Sequence, residues 1–170
     1  MKKPDGRILF FDSTNFDWLH FALIDSSLSG QTANKTAHQK VRIRHFESEK
    51  TLPALLAFLK KHGIKPTNSN SVSNSRSRLQ KISKIYFVSG PGSFSGIRVG
   101  ASIALALGFG WGVPVFTLTK SAAPNGFNAK ILAQIKAGAL KAKKISSVPE
   151  LDYGAAPKIT KEKKKNLRNT

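Results

Sequence analysis

One stretch constrains this chain more than any other: Val88-Ser89-Gly90-Pro91-Gly92-Ser93-Phe94-Ser95-Gly96-Ile97-Arg98-Val99-Gly100. The apolar run 84–89 reads as a strand that enters a glycine-rich turn and continues into a long helix of small residues. Gly90 and Gly92 flank Pro91, whose ring fixes φ, so the backbone can turn sharply and approach another surface closely. Ser93 or Ser95 then caps the helix. Two uses are open for such a loop: a cradle in which the first free N–H groups of the helix hold an anion, or a corner that brings a helix against another backbone. No Gly-Lys-Ser/Thr closes the loop, and Gly90-x-Gly92-x-x-x-Gly96 misses the dinucleotide-binding spacing. Within the helix, Gly96, Gly100, Ala104, Gly108 and Gly112 recur every fourth residue. Such a row drifts only about 40° per step, so its members share a face. Each glycine costs a helix roughly 1 kcal/mol against alanine. A row of them therefore implies a close contact, with the chain's own sheet or with a partner, and favours the corner. Arg98 sits in the first turn, where its charge opposes the helix dipole, and a negative group is expected to compensate it.

Composition narrows the classes. The 170 residues suit one domain with a real core. With no cysteine, disulfide frameworks, thiolate metal sites and cysteine nucleophiles are excluded, which fits a reducing, cytoplasmic setting. His20, His38, His45 and His62 show no metal-ligand spacing, so no metal site is expected. No paired carboxylates, His/Asp cluster or nucleophile elbow accompanies the loop, which points to a binding subunit rather than an enzyme. The 28 Lys and Arg against 9 Asp and Glu give +19, a charge that attracts polyanions, nucleic acid first. The basic N-terminus is a poor signal peptide, since the apolar run after it is short and carries Asp12. Residues 99–119 are uncharged and long enough to span a bilayer, but Gly108, Gly110, Gly112 and Pro114 interrupt them. They read as a buried helix, a turn and a buried strand, and no membrane is expected.

In chain order, the apolar residues 8–11 end at Asp12-Ser13-Thr14, and residues 18–24 follow as the second arm of a hairpin. An acid at the end of a central strand is where nucleotide-binding folds orient phosphate or magnesium. It is also a common turn former, and Asp12, Ser13 and Thr14 are candidates for either role. Residues 26–40 look like a loop, after which Val41, Ile43 and His45 alternate as a strand should. The clearest amphipathic helix spans 49–62, with Leu52, Leu55, Leu56 and Leu59 as its buried stripe, Pro53 in the first turn and Gly63 as the stop. Phe58 falls off that stripe, where it is free to meet another chain, although core packing is the commoner use of such a residue. Residues 66–78 are Ser/Asn-rich and read as a mobile insertion. A strand over 114–119 is followed by a helical segment over 121–144, broken near Pro124, with Ile131, Leu132, Ile135, Ala139 and Leu140 as its apolar positions. The tail carries Lys158, Lys161, Lys163, Lys164, Lys165 and Arg168 against Glu162, and is expected to be disordered and to meet RNA electrostatically.

The 90–100 stretch resembles the Gly-Pro-Gly-Ser-Phe-Thr-Gly-Leu-Arg-Ile-Gly signature of the TsaB (YeaZ) family, with Ser95, Ile97 and Val99 as conservative replacements. Asp12-Ser13-Thr14 is similar to the Asp-Thr-Ser that ends that family's first strand, with the hydroxyl residues exchanged. Thr51-Leu52-Pro53-Ala54-Leu55-Leu56 resembles the start of its first helix. Residues 151–160 are similar to its closing Pro-x-Tyr-x-Arg segment, without the arginine. The resemblance implies an α/β fold of the actin-like, ribonuclease H-like kind: a mixed five-stranded sheet with flanking helices over 1–120. A helical segment over 121–150 would stand in for most of the second actin-like half, followed by the basic tail over 151–170.

The function it implies is that of a non-catalytic scaffold subunit. TsaB supports the enzyme TsaD in forming N6-threonylcarbamoyladenosine at position 37 of tRNA. Family members meet TsaD through their first two helices, here 49–62 and 94–112, so Leu52, Leu55, Leu56, Phe58, Leu59, Arg98, Gly100, Ala104 and Gly108 are the expected partner face. The signature loop is Gly90, Pro91, Gly92, Ser93, Phe94, Ser95, Gly96, Arg98 and Gly100. No cofactor is expected on this chain, since ATP and a metal belong to its partners, TsaD and the ATPase TsaE. A heterodimer with TsaD is expected, a homodimer in its absence is open, and tRNA is reached through the complex. The alternative is a small basic nucleotide- or RNA-binding domain acting without TsaD.

Overall fold

The structure is a computed structural model describing residues 6–15, 17–25, 36–44, 47–64, 82–121, 126–137, 139–145 and 149–154. Strand β1 (Arg7–Asp12) is buried along both faces, which is why it carries a continuous apolar run rather than an alternating one. It pairs antiparallel with β2 (Trp18–Asp25), and β2 with β3 (Thr36–Arg42). On its other side β1 takes β4 (Ile82–Val88) in parallel, and β4 takes β5 (Val115–Leu118) in parallel. A two-residue strand, β6 (Lys143–Lys144), closes the far edge antiparallel to β5. The order is β3-β2-β1-β4-β5-β6. Three antiparallel strands followed by parallel crossovers on the other side of β1 make this the actin-like, ribonuclease H-like α/β arrangement.

Because side chains alternate along a strand, the sheet presents two apolar faces. Leu9, Phe11, Phe21, Ile85 and Phe87 belong to one cluster, covered by α1 (Thr51–Lys61) and α2 (Phe94–Trp111). Ile8, Phe10, Ala22, Ile24, Tyr86 and Val88 belong to the other, completed by Phe127 and by Ile131 and Ile135 of α3 (Ala129–Ala137). Phe10 lies 5.3 Å from Phe127, and Phe11 stacks on Phe87 at 6.1 Å. Helix α2 is long and apolar enough to cross a bilayer by length and composition. Here it is a core helix, with Gly96, Ile97, Gly100, Ala101, Ile103, Ala104 and Gly108 buried.

Several boundaries differ from those the sequence suggests. The sheet has six strands rather than five, since β6 is too short and too exposed to leave an apolar pattern. Strand β3 covers 36–42, most of which reads as loop, because an edge strand is held by backbone pairing and needs few apolar side chains. His45 lies outside the described residues. In α1 the buried stripe is Thr51, Leu55, Phe58 and Leu59, so the helix is rotated from the leucine stripe. Phe58 is core, 5.7 Å from Phe21, and Leu52 is 42% exposed. Helix α3 is shorter than the 121–144 segment, and Ala139 and Leu140 fall after it. The insertion at 66–78 lies outside the described residues.

Candidate functional site

The signature loop is a corner built from three parts of the chain. Gly90 has φ of 126°, a conformation side chains rarely adopt, and a Cβ there would overlap the backbone carbonyl oxygen of Asp152. A Cβ at Gly92 would overlap the Thr14 carbonyl, and one at Gly96 the Ser13 carbonyl. The approaching strands are hydrogen-bonded in place: Ser93 N–H donates to Thr14 O at 2.7 Å, Asp152 N–H to Ser89 O at 3.0 Å, and Ser89 N–H to Leu118 O at 2.8 Å. Ser93 caps α2, its Oγ accepting from Gly96 N–H, and Gly112 in the left-handed conformation ends it. The space freed by the glycines is thus filled by this chain's own backbone, which supports the corner.

The glycine row meets the sheet in the same way. Added Cβ atoms at Gly100 and Gly108 would overlap Ser13 Oγ and Val115 Cγ2. Ser13 Oγ in turn donates to Gly96 O at 2.8 Å, fastening α2 to the end of β1. Of the expected partner face, Gly100, Ala104 and Gly108 and likewise Leu55, Phe58 and Leu59 are buried within the chain. Leu52, Leu56 and Arg98 retain access to solvent.

Asp12, Ser13 and Thr14 are all buried. Asp12 Oδ1 accepts from Thr14 N–H at 2.8 Å and Thr14 Oγ1 at 2.6 Å, an Asx-type turn. Its other oxygen pairs with Lys120 Nζ at 3.2 Å, and the same ammonium reaches Thr14 Oγ1 at 2.6 Å. Lys120 follows β5, two strands away from β1, and its N–H also bonds to Gly90 O. The chain supplies its own cation at the strand end where a nucleotide-binding fold would orient phosphate or magnesium. Lys120 was missed from sequence because the register of β5 against β1 is a property of the sheet. Among the described residues no group of three or more His, Asp or Glu could hold a metal.

Among the described residues Arg98 is compensated by aromatic rings rather than by a carboxylate. Its guanidinium lies 3.9 Å from the centre of the Phe94 ring, and its Nε donates to Tyr153 OH at 3.1 Å. Phe94 and Tyr153 are themselves 4.8 Å apart. The electron-rich ring faces take the place of a counterion. Tyr153 belongs to a segment expected to be part of a disordered tail. Instead, Leu151 packs on the core, Asp152 bonds to the loop, and Gly154 closes on Pro91. Lys161, Lys163, Lys164, Lys165 and Arg168 lie outside the described residues.

The exposed apolar side chains of this region are Leu52, in the first turn of α1, and Phe94, 53% exposed in the first turn of α2. Phe109, 92% exposed, stands near the opposite end of α2. The first turns of the two helices border one cavity of about 220 Å3, lined among others by Arg44, Glu47, Thr51, Phe94 and Ser95. The Glu47 pKa is lowered because Lys50 Nζ donates to its carboxylate at 2.6 Å and Arg44 N–H at 3.0 Å. On the opposite face of the sheet, His20 stacks on His38 at 5.7 Å. Burial lowers the pKa of both, and in His20 the Asp12 carboxylate opposes that effect.

Three comparisons bear on this site. A family model described as "TsaD: tRNA N6-adenosine threonylcarbamoyltransferase" matches residues 43–123. The tRNA threonylcarbamoyladenosine biosynthesis protein TsaB of Haemophilus influenzae is 41% identical over 56 residues, covering 33% of this chain and 24% of that protein. Among solved structures, YeaZ from Pseudomonas aeruginosa aligns with TM-score 0.48 and 20% identity over 67% of this chain and 44% of its own. RuvC from Thermus thermophilus aligns with TM-score 0.40 and 13% identity over 86% and 85%. The chain matches about a quarter of the curated relative's length and less than half of YeaZ's.

Proposed function

We propose that this chain, whose signature loop resembles that of the TsaB (YeaZ) family and which is 41% identical over 56 residues to a curated TsaB, is a non-catalytic subunit docking on a TsaD-type protein. In this reading it supports formation of N6-threonylcarbamoyladenosine at position 37 of tRNA, in the cytoplasm. Its part is to hold a surface, while the transfer chemistry, ATP and metal belong to the partners, TsaD and a TsaE-type ATPase. The observation that carries the reading is the exposure of Leu52 and Phe94, in the first turns of α1 and α2. Both are exposed apolar side chains held on rigid, well-packed helices. Arg98, stacked on Phe94, adds a cation beside that ring. Aromatic and arginine residues of this kind are the usual anchors of protein interfaces.

In this reading the two faces of each helix have different tasks. The inner faces, with Leu55, Phe58, Gly100 and Ala104, fix the angle of the helices on the sheet. The outer faces are left to the partner. Co-expression with a TsaD-type protein, followed by a sizing column, tests the reading. Co-elution is expected, and the double variant Leu52→Asp, Phe94→Asp is expected to weaken it by about tenfold or more without lowering Tm. Separate elution of the unaltered proteins, or co-elution indifferent to the double variant, refutes it.

A further inference from the structure

The sheet carries a second surface, on the face away from α1 and α2. Side chains alternate along a strand, so Trp18, His20 and Ala22 of β2 share one face with His38, Lys40 and Arg42 of the edge strand β3. Ala22 belongs to the core that α3 completes, which places the whole set on the α3 side. Trp18 stands opposite Arg42, and His20 opposite Lys40. Lys40 Nζ lies 4.1 Å from the centre of the Trp18 ring, and the Arg42 guanidinium 5.9 Å. Both cations are exposed, and Trp18 is half-buried. Among the described residues neither cation pairs with a carboxylate. Asp12 is taken by Lys120 and Asp25 by Arg7, and Asp17, which precedes Trp18, pairs with neither. Burial lowers the pKa of His20, the Asp12 carboxylate opposes this, and the charges of His38, Lys40 and Lys120 lower it further. Several cations thus converge at this end of the sheet.

We infer that the ridge of Trp18, Lys40 and Arg42 is an RNA-binding surface, on which Lys40 and Arg42 take neighbouring phosphates of the backbone. Long cationic side chains lose rotamer freedom when a ligand fixes them, and here the Trp18 ring already holds both. The two cations are spaced about 6.6 Å along the strand, so each can meet a different phosphate. The net charge of +19 draws a polyanion from a distance, and the unpaired cations of the ridge give it a place to land. A lipid surface fits less well. Lys40 covers the Trp18 ring, and the exposed large apolar side chains, Leu52, Phe94 and Phe109, all lie on the helices of the other face. RNA rather than DNA is named because of the proposed role in tRNA modification, and that choice rests on that reading. The surface itself does not, because α1 and α2 cover the opposite face and stay free to dock while the ridge is occupied.

The experiment is fluorescence anisotropy of a labelled, unmodified tRNA transcript titrated with the full chain alone at several salt concentrations. Saturable binding is expected. Lys40→Glu with Arg42→Glu should raise Kd at least about tenfold and flatten the dependence of log Kd on log salt by about 1.4–1.8, as loss of two phosphate contacts requires. The charge-matched control, Lys60→Glu with Lys61→Glu in the exposed last turn of α1, should change Kd less than about threefold and leave the slope as it was. Trp18→Leu removes no charge but releases both cations, and should weaken binding about threefold at nearly constant slope. Should the reversals disturb the fold by circular dichroism, Lys40→Gln with Arg42→Gln takes their place, with the same flattening expected. No saturable binding, or equal effects of the ridge and control pairs, overturns the proposal. So does loss of binding to phosphatidylserine vesicles in the ridge variant while its tRNA binding is unchanged. Because the titration contains no TsaD-type protein, its failure is distinct from a failure of co-elution with one.

Discussion

Gly100→Ala isolates the close contact on which the corner depends. The new Cβ would overlap Ser13 Oγ and lie 3.4 Å from Ser13 Cβ and Phe11 Cε2. Two responses are available. Ser13 can rotate away and forfeit its 2.8 Å bond to Gly96 O, a loss of about 1–3 kcal/mol for a buried pair. Alternatively it can stay, and the overpacking strains the helix by a similar amount, about 1–3 kcal/mol. Alanine's better helix propensity returns about 1 kcal/mol. The net loss is about 0–2 kcal/mol, or up to roughly 8 °C in Tm for a chain of this size. Gly110 is the control, since it lies in the same helix with nothing within 4 Å of its added Cβ. Gly110→Ala should therefore stabilise, by up to about 1 kcal/mol. Ser13→Ala removes the clashing oxygen and leaves contacts at ordinary distance, so Gly100→Ala in that background should lose its penalty. Denaturant unfolding of the four variants and the wild type gives the cycle, with a coupling of about 1–3 kcal/mol expected. Equal effects of Gly100→Ala and Gly110→Ala, or strict additivity with Ser13→Ala, would refute the reasoning.

Other predictions rest on separate contacts. Lys120→Met leaves the buried Asp12 carboxylate without its cation and should destabilise by about 3 kcal/mol, and adding Asp12→Asn should recover most of that in a denaturation series. Burial lowers the pKa of His20 and His38 in the folded state. The folded protein thus favours neutral imidazoles, and their contribution is fully present above the unfolded value of about 6.5 and is lost as pH falls through the lowered folded value. Tm should drop on acidification from pH 7.5 to 5, and His20→Phe should flatten part of that drop. A Cβ at Gly90 collides with Asp152 O, so Gly90→Ala should release the 151–154 segment, read as increased proteolysis or faster amide exchange at Asp152.

What could be read from sequence divides along physical lines. Strands β1 and β4 were legible because buried parallel strands are continuous apolar runs, and α2 because its cap serine and four-residue glycine row are local signals. The row announced a close contact but not its partner; only the fold shows that Ser13 and Val115 fill it. In α1 the leucines outvoted Phe58 and Thr51, although burial follows the direction of the helix on the sheet, which hydrophobicity alone leaves undetermined within one residue step of about 100°. Strand β3 stayed hidden because backbone pairing holds it. Lys120, Tyr153 and Asp152 reach the loop from far along the chain, and no spacing in a single sequence records such contacts.

The central claim is that the outer faces of α1 and α2 dock on a TsaD-type protein, and calorimetric titration of this chain with that protein tests it most directly. The account predicts saturable binding near one-to-one stoichiometry, lost or weakened at least about tenfold by Leu52→Asp with Phe94→Asp. It also predicts that Lys60→Glu, on an exposed position in the last turn of α1, leaves binding unchanged. No heat of binding from the unaltered proteins, or an affinity indifferent to Leu52 and Phe94, would contradict it.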